Sequence, residues 1–200
     1  MLSLIGMGPG HLDCVTPEAA AAIRGADIVL AFDRVAETAE QIRTPILRIR
    51  RLDEIFTHLA PERDVALLVS GDPGFFSMLD YLNTQRVEIG RVIPGISSLQ
   101  YFMAALRKSW HGVTCLSMHG RDGDLTALKH VRIAAILTDK TNTPRHISKR
   151  LHQLGWRGRL HIGSHLSYPN ERILAARIGD DIDDDGSLAI VVVEQDEMAS

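Results

Sequence analysis

The chain carries only two cysteines in 200 residues, Cys14 and Cys115. That excludes a disulfide framework and a four-ligand zinc site. Long hydrophobic runs are also missing, and no apolar segment approaches the ~20 residues needed to span a bilayer. Neither sign of charge dominates: 22 Lys and Arg stand against 25 Asp and Glu, for a net charge of −3. No whole-chain attraction to nucleic acid or to anionic membranes is expected, so any anion site must come from local clustering. The start, Met1-Leu2-Ser3-Leu4-Ile5-Gly6, has neither the basic stretch nor the long apolar stretch of a signal peptide, and a reducing cytoplasm is the expected setting. There is no G-x-S-x-G elbow, no G-x-x-x-x-G-K-[ST] loop and no H-E-x-x-H pair. Without a nucleophile, a phosphate loop or a metal cage, the expected chemistry is one that needs mainly positioning.

What the chain does have is three Gly/Pro-bearing turns, each at the end of an apolar run: Gly6-Met7-Gly8-Pro9-Gly10, Gly71-Asp72-Pro73-Gly74 and Pro94-Gly95-Ile96-Ser97-Ser98. In open α/β sheets ligands bind where strands end and helices begin. Glycine there permits close backbone approach. The first turn is not a dinucleotide fingerprint: G-x-G-x-x-G requires glycine where His11 stands, and Pro9 removes an amide that would face a pyrophosphate.

The apolar pattern predicts strands over Leu2–Ile5, Asp27–Phe32, Ile46–Ile49, Val65–Val69 and Val87–Ile93. It predicts helices over Pro17–Arg24, Val35–Arg43, Leu52–Leu59, Phe75–Leu82 and Ser97–Leu106. Thr16 as N-cap, Pro17 at the first helical position and Glu18 in the first turn mark the first helix start. Such alternation argues for βαβ units and a parallel sheet. The polar stretch Arg107–Gly112 reads as a hinge, giving a parallel-sheet domain over 1–108 and a mixed-sheet domain over 112–200. In the latter, strands are expected over Val113–Ser117, Ile133–Leu137, Leu160–Gly163, Ile173–Ala176 and Leu188–Val193. The helices expected with them are Pro144–Leu154 and a shorter one near Leu125–His130.

Each motif has two readings. The first turn either binds a ligand or only joins a strand to a helix. Asp72 either faces a cationic group or starts a helix in an Asp-Pro turn. Ser97 and Ser98 either contact a ligand or cap the next helix. His119-Gly120-Arg121, at a strand end, is either a carboxylate-binding group with a bidentate Arg or a solvated turn. Arg34 carries the same alternatives. The three turns follow strands of one half, which favours the ligand readings jointly. Asp181-Ile182-Asp183-Asp184-Asp185-Gly186 matches the opening of a calcium loop, but the twelfth position is Val192 rather than Glu and a strand follows, so a solvated acidic turn is expected. The nine histidines, including His161 and His165, read as surface residues, and no metal site is expected.

Together, Ile5-Gly-Met-Gly-Pro-Gly10, Thr16-Pro17, Ser70-Gly-Asp-Pro73 and Pro94-Gly-Ile-Ser-Ser98 resemble the tetrapyrrole methylase family of S-adenosylmethionine-dependent methyltransferases. The second half is similar to the branch that methylates C5 of a corrin precursor in cobalamin biosynthesis, cobalt-precorrin-7 or precorrin-6Y. Ser117-Met-His-Gly-Arg121, Leu137-Thr-Asp139 with Thr143-Pro144, and Leu166-Ser-Tyr-Pro-Asn-Glu-Arg172 carry that likeness. The resemblance implies an α/β fold of two domains with the donor cleft between them, a homodimer, and S-adenosylmethionine as methyl donor. It places Pro9, Gly71, Asp72, Phe75, Ser97, Ser98, Leu137 and Leu166 around the donor. Arg34, His119 and Arg121 become the expected contacts for a polycarboxylate tetrapyrrole, because an acidic protein needs focused Arg and His groups to bind it. His119 is the candidate base if a proton must leave. Some relatives fuse this module to one that methylates C15 and removes a carboxylate. Two hundred residues leave no room for it, so a separate C15 enzyme is the expected pathway partner.

Three alternatives stay open at this point. One is another acceptor within the family: uroporphyrinogen III, a diphthine precursor or ribosomal RNA. The others are a donor-binding module without turnover, and a nucleotide-dependent oxidoreductase, to which only Asp33 points. An RNA acceptor would require a broad basic face and salt-dependent binding.

Overall fold

The computed structural model describes residues 1–59, 62–120 and 123–196. Arg121 lies outside the described residues. The chain divides into two compact units, the first Met1–Tyr101 and the second beginning at Phe102. The division falls inside a helix, upstream of the Arg107–Gly112 hinge expected from composition.

The first unit runs β1 (Leu2–Gly6), α1 (Pro17–Gly25), β2 (Ile28–Ala31), α2 (Asp33–Ala39), β3 (Leu47–Arg48), α3 (Glu54–His58), β4 (Val65–Val69), α4 (Met78–Thr84), β5 (Arg91–Ile93) and α5 (Ser98–Ala105), which enters the second unit. The five strands form one sheet in the order β3-β2-β4-β1-β5, every pair parallel. Both faces are covered, so the central strands are apolar at successive positions. Ile5, Val29, Ala66 and Leu68 pack with Ala19 and Ile23 of α1 and Ala36 and Ala39 of α2. Leu4, Leu30, Val65 and Leu67 pack on the other face with Ile55 of α3 and Leu82 of α4. Thr16 caps α1 as the sequence indicates, its Oγ1 accepting from the Ala19 N–H at 3.1 Å ahead of Pro17.

Several elements differ from their sequence spans: the helix expected over Val35–Arg43 runs Asp33–Ala39 and that over Leu52–Leu59 runs Glu54–His58, and two further differences have local reasons. The helix expected from Phe75 starts only at Met78, because Phe76 takes a left-handed φ of 50° after the Asp-Pro turn. The strand expected from Val87 is shortened to Arg91–Ile93. Upstream of it, Arg86 (φ 56°) ends α4 in a Schellman motif: Val87 N–H donates to Leu82 O and Arg86 N–H to Asn83 O, both at 3.0 Å.

The second unit contains β6 (Thr114–Ser117), a 3₁₀ turn (Leu125–Leu128), β7 (Ile133–Leu137), α6 (Pro144–Gln153), β8 (Gly158–Ser164), β9 (Arg172–Arg177) and β10 (Ala189–Gln195). Its sheet order is β6-β7-β10-β8-β9, parallel only between β6 and β7 and antiparallel elsewhere. Ile136, Leu160, Ile162, Val191 and Val193 pack with Ile147 and Leu151 of α6 and with Trp156. Strand β10 is buried at its centre, as its unbroken apolar run requires. Among the described residues no helix is long and apolar enough to cross a membrane.

Candidate donor and acceptor sites

Strands β4, β1 and β5 are adjacent, and the three glycine turns leave their carboxyl ends. The helix after β1 covers one face of the sheet and the helix after β4 covers the other. Adjacent parallel strands whose chains depart to opposite faces open a crevice at their carboxyl ends, where α/β proteins bind ligands.

The turns are locked to one another through backbone. Gly8 and Gly71 exchange hydrogen bonds, Gly8 N–H to Gly71 O at 3.2 Å and Gly71 N–H to Gly8 O at 2.7 Å. A Cβ on Gly6 would lie 2.6 Å from Gly95 N, 2.7 Å from Gly71 O and 2.8 Å from Pro73 Cδ. Glycine at position 6 is therefore required by the packing of three turns on each other, before any ligand is considered. Gly71 is buried with φ 69°, a conformation that favours glycine. Pro9 is buried, and Gly10 beyond it offers its carbonyl to Thr38 Oγ1 at 2.7 Å.

Asp72 joins the second turn to the third. Its Oδ1 accepts from Gly74 N–H at 2.8 Å and its Oδ2 from Gly95 N–H at 3.1 Å. The partners of its carboxylate are thus backbone amides of both turns. Ser97 is buried and forms a capping box with Gln100: its Oγ accepts from Gln100 N–H at 3.1 Å, and Gln100 Oε1 accepts from Ser97 N–H at 2.9 Å. Ser97 therefore caps α5. Ser98, half-buried, is the first residue of α5. Phe75 is half-buried, its ring edge-on to that of Phe76 at 5.1 Å. Arg34 is exposed in the first turn of α2. Pro9, Gly71, Asp72, Ser97 and Ser98 are thereby placed in one linked set of turns.

In the second unit, the ends of the parallel pair β6 and β7 are tied together. His119, exposed, brings Nδ1 to 3.2 Å from Thr138 O, the residue after Leu137. A carbonyl only accepts, so Nδ1 carries the proton and the neutral ring keeps its lone pair on Nε2. Asp139 organises this corner, accepting from Gly120 N–H at 2.8 Å, Thr141 N–H at 2.9 Å and Asn142 N–H at 2.6 Å. The amides of Asn142 and Gly120 hold its carboxyl below the usual aspartate value. Leu166, buried, lies in the loop after β8, and glycine at 163 leaves room for it and for Phe102: a Cβ there would meet them at 2.9 and 2.8 Å.

Two functional-looking groups resolve into structural ones. The carboxylates of the acidic run after β9 have partners within the unit: Asp181 pairs with Arg145 (3.3 Å) and Lys149 (3.6 Å) and Asp183 with Arg172 (2.8 Å), Asp184 Oδ2 accepts from Arg145 N–H at 2.9 Å, and Asp185 lies 3.7 Å from the His165 ring. His161 is not a surface histidine, as expected from the sequence, but 13% exposed, because β8 turns its ring inward to Glu194 at 3.2 Å. Among the described residues no three His, Cys, Asp or Glu are grouped to hold a metal ion. Sequence reasoning missed Thr38 and the anchoring role of Asp139. The available signal for the first was a polar residue on the alanine face of α2.

The sequence profile of the Tetrapyrrole (Corrin/Porphyrin) Methylases matches residues 1–180. A cobalt-precorrin-7 C(5)-methyltransferase of Salmonella typhimurium is 33% identical over 178 residues, covering 86% of this chain and 89% of that one. The crystal structure of a precorrin-6Y methylase of cobalamin biosynthesis from Archaeoglobus fulgidus superposes with a TM-score of 0.74 at 26% identity, over 98% of both chains. A uroporphyrin-III C-methyltransferase of Thermus thermophilus, solved with S-adenosyl homocysteine, shares the fold at a TM-score of 0.77 and 24% identity, over 96% of both chains. With its locked glycine turns at the ends of β4, β1 and β5, the chain belongs to the tetrapyrrole (corrin/porphyrin) methylase family.

Proposed function

We propose that this protein methylates C5 of a corrin precursor in cobalamin biosynthesis, cobalt-precorrin-7 or precorrin-6Y, using S-adenosylmethionine. The observation that carries the reading is the convergence of the three turns at a switch point of the parallel sheet, in a chain so similar to a C(5)-methyltransferase. The crevice suits this donor better than a dinucleotide. It is built from backbone at Gly8, Gly71 and Gly95, has the apolar Phe75 directly after its second turn, and lacks an amide at buried Pro9. Bound there, the donor supplies a sulfonium methyl that is already activated for in-line attack.

The protein's part is then alignment and exclusion of water. The ring carbon forms its bond to the methyl as the sulfur–methyl bond breaks, and the electron pair of that bond stays on sulfur. No covalent enzyme intermediate is needed. We assign Pro9, Gly71, Asp72, Phe75, Ser97, Ser98, Leu137 and Leu166 to the donor, and Arg34, His119 and Arg121 to the carboxylate-rich acceptor. Nε2 of His119, the nitrogen left unprotonated by the bond at Nδ1, is the candidate acceptor for a departing proton. A homodimer, a cytoplasmic setting and a separate C15-methylating enzyme complete the proposal.

Calorimetric titration with S-adenosyl homocysteine and, separately, with NAD tests the donor, and turnover on a precorrin pool tests the acceptor. Binding of S-adenosyl homocysteine and a product gaining one methyl at C5 are expected. Binding of NAD without S-adenosyl homocysteine would overturn the reading.

A further inference from the structure

The first glycine turn is held at two ends by different means. At its start, Gly8 is paired through backbone with Gly71. At its end, the Gly10 carbonyl accepts from Thr38 Oγ1, 28 residues away and buried, at 2.7 Å. Pro9 lies between the two anchors and has no N–H with which to hold itself.

Thr38 is 6% exposed, near the end of α2, whose other buried positions are Ala36 and Ala39 in the cluster around Ile5 and Met7. A hydroxyl among such groups is costly unless it is bonded. Threonine in a helix ordinarily bonds its hydroxyl back to the preceding turn of its own helix. Here the hydroxyl reaches across to a turn in another part of the unit. Apolar packing alone would be served by an alanine or valine, and a hydroxyl aimed at Gly10 O is not explained by it.

We propose that Thr38 is a positioning residue for the methyl donor: its hydroxyl fixes Gly10, and through Gly10 the placement of Pro9 at the floor of the donor crevice. The proposal rests on the assignment of the first turn to donor binding. Replacing the hydroxyl by a methyl leaves the Gly10 carbonyl buried without its partner and frees the end of the turn.

The test compares Thr38→Val, Thr38→Ala and Thr38→Ser with the unaltered protein. Affinity for S-adenosyl homocysteine is read by calorimetry, donor and acceptor KM by turnover, and folding by melting temperature. Thr38→Val is expected to raise the S-adenosyl homocysteine Kd and the donor KM about tenfold and to leave the acceptor KM unchanged. Thr38→Ser, which keeps the hydroxyl, stays within about twofold of the parent. A merely structural threonine would lower the melting temperature and leave the affinity of the folded protein unchanged; that result overturns the proposal. So does a loss in Thr38→Ser as large as in Thr38→Val. Should the valine variant not fold, the alanine and serine variants make the same comparison. An unaltered protein that binds no S-adenosyl homocysteine sinks the donor assignment and this proposal with it, whereas normal binding by both parent and Thr38→Val sinks this proposal alone.

Discussion

Asp72 Oδ2 accepts the backbone N–H of Gly95 at 3.1 Å, so a side chain of the second glycine turn fixes the third. Because Oδ1 takes Gly74 N–H at the same time, the carboxylate shapes its own turn and ties it to the next. Hydrogen bonds to a charged acceptor are stronger than neutral ones. Asp72→Ala is therefore expected to cost about 1–3 kcal/mol of stability and to weaken S-adenosyl homocysteine binding about tenfold or more. Urea denaturation and calorimetry read the two effects. Unchanged affinity in a folded variant would remove Asp72 from the donor site.

Gly6 leaves less room still. A methyl group there would overlap Gly95 N, Gly71 O and Pro73 Cδ, two of them backbone atoms that cannot rotate away. Gly6→Ala is expected to lose at least about 1–3 kcal/mol by overpacking, whereas Gly25→Ala, where a Cβ meets nothing within 4 Å, should be neutral or slightly stabilising. Denaturation midpoints of the pair compare the two directly.

Asp139 makes stability depend on pH in a defined direction. Its folded value lies below the ordinary 3.8, chiefly because Asn142 and Gly120 amides bond the ionised form. A group so depressed adds stability in full above its unfolded value, and that stability is lost as pH falls through the lower folded value. Asp139→Asn should therefore lower the melting temperature by about 2–4 °C at pH 7. The gap to the parent should close below pH 3.8, where the unaltered carboxyl also begins to protonate. A gap that stays constant with pH would contradict the assignment.

Lys108, Glu194 and His161 form a part-buried group, with Lys108 Nζ 2.7 Å and His161 Nε2 3.2 Å from the carboxylate. Burial pushes Glu194 up, but the bonds from Lys108 and His161 together outweigh it and hold the carboxyl below its usual value. Removing one partner strands a charge that burial has already disfavoured. Lys108→Met should cost about 1–2 kcal/mol near neutrality and less below pH 4.5, where Glu194 is protonated in the unfolded chain. Equal cost at pH 4 and pH 7 would refute the charge argument.

His119 is exposed, and the ring nitrogen that faces Thr138 O is Nδ1, which leaves the lone pair of the neutral ring on Nε2. His119→Ala is expected to lower kcat about a hundredfold if it accepts the departing proton, with S-adenosyl homocysteine affinity unchanged. Unaltered kcat with a raised acceptor KM would make it a binding residue only.

Much of the fold was legible because apolar period, caps and turns are local properties. Thr16-Pro17 and Thr143-Pro144 start helices where the residues indicate, with Thr143 Oγ1 accepting from His146 N–H at 3.3 Å. The unbroken run at β10 marks a central strand. Local chemistry also excluded a dinucleotide turn at Pro9 and a calcium loop before Val192. What sequence could not supply was which turns touch. That depends on strand order, and the order β3-β2-β4-β1-β5 sets side by side three strand ends that are distant in the chain. Only this neighbourhood turns Asp72 into a tie to Gly95, makes Gly6 irreplaceable, and gives Thr38 a partner 28 residues away. Likewise His161 reads as a polar strand residue until β8 lies beside β10 and the ring meets Glu194. The residues settle which segments become strands, helices and turns, because those preferences act over a few neighbours. Tertiary structure alone decides the partners, because contacts between remote segments follow from sheet order.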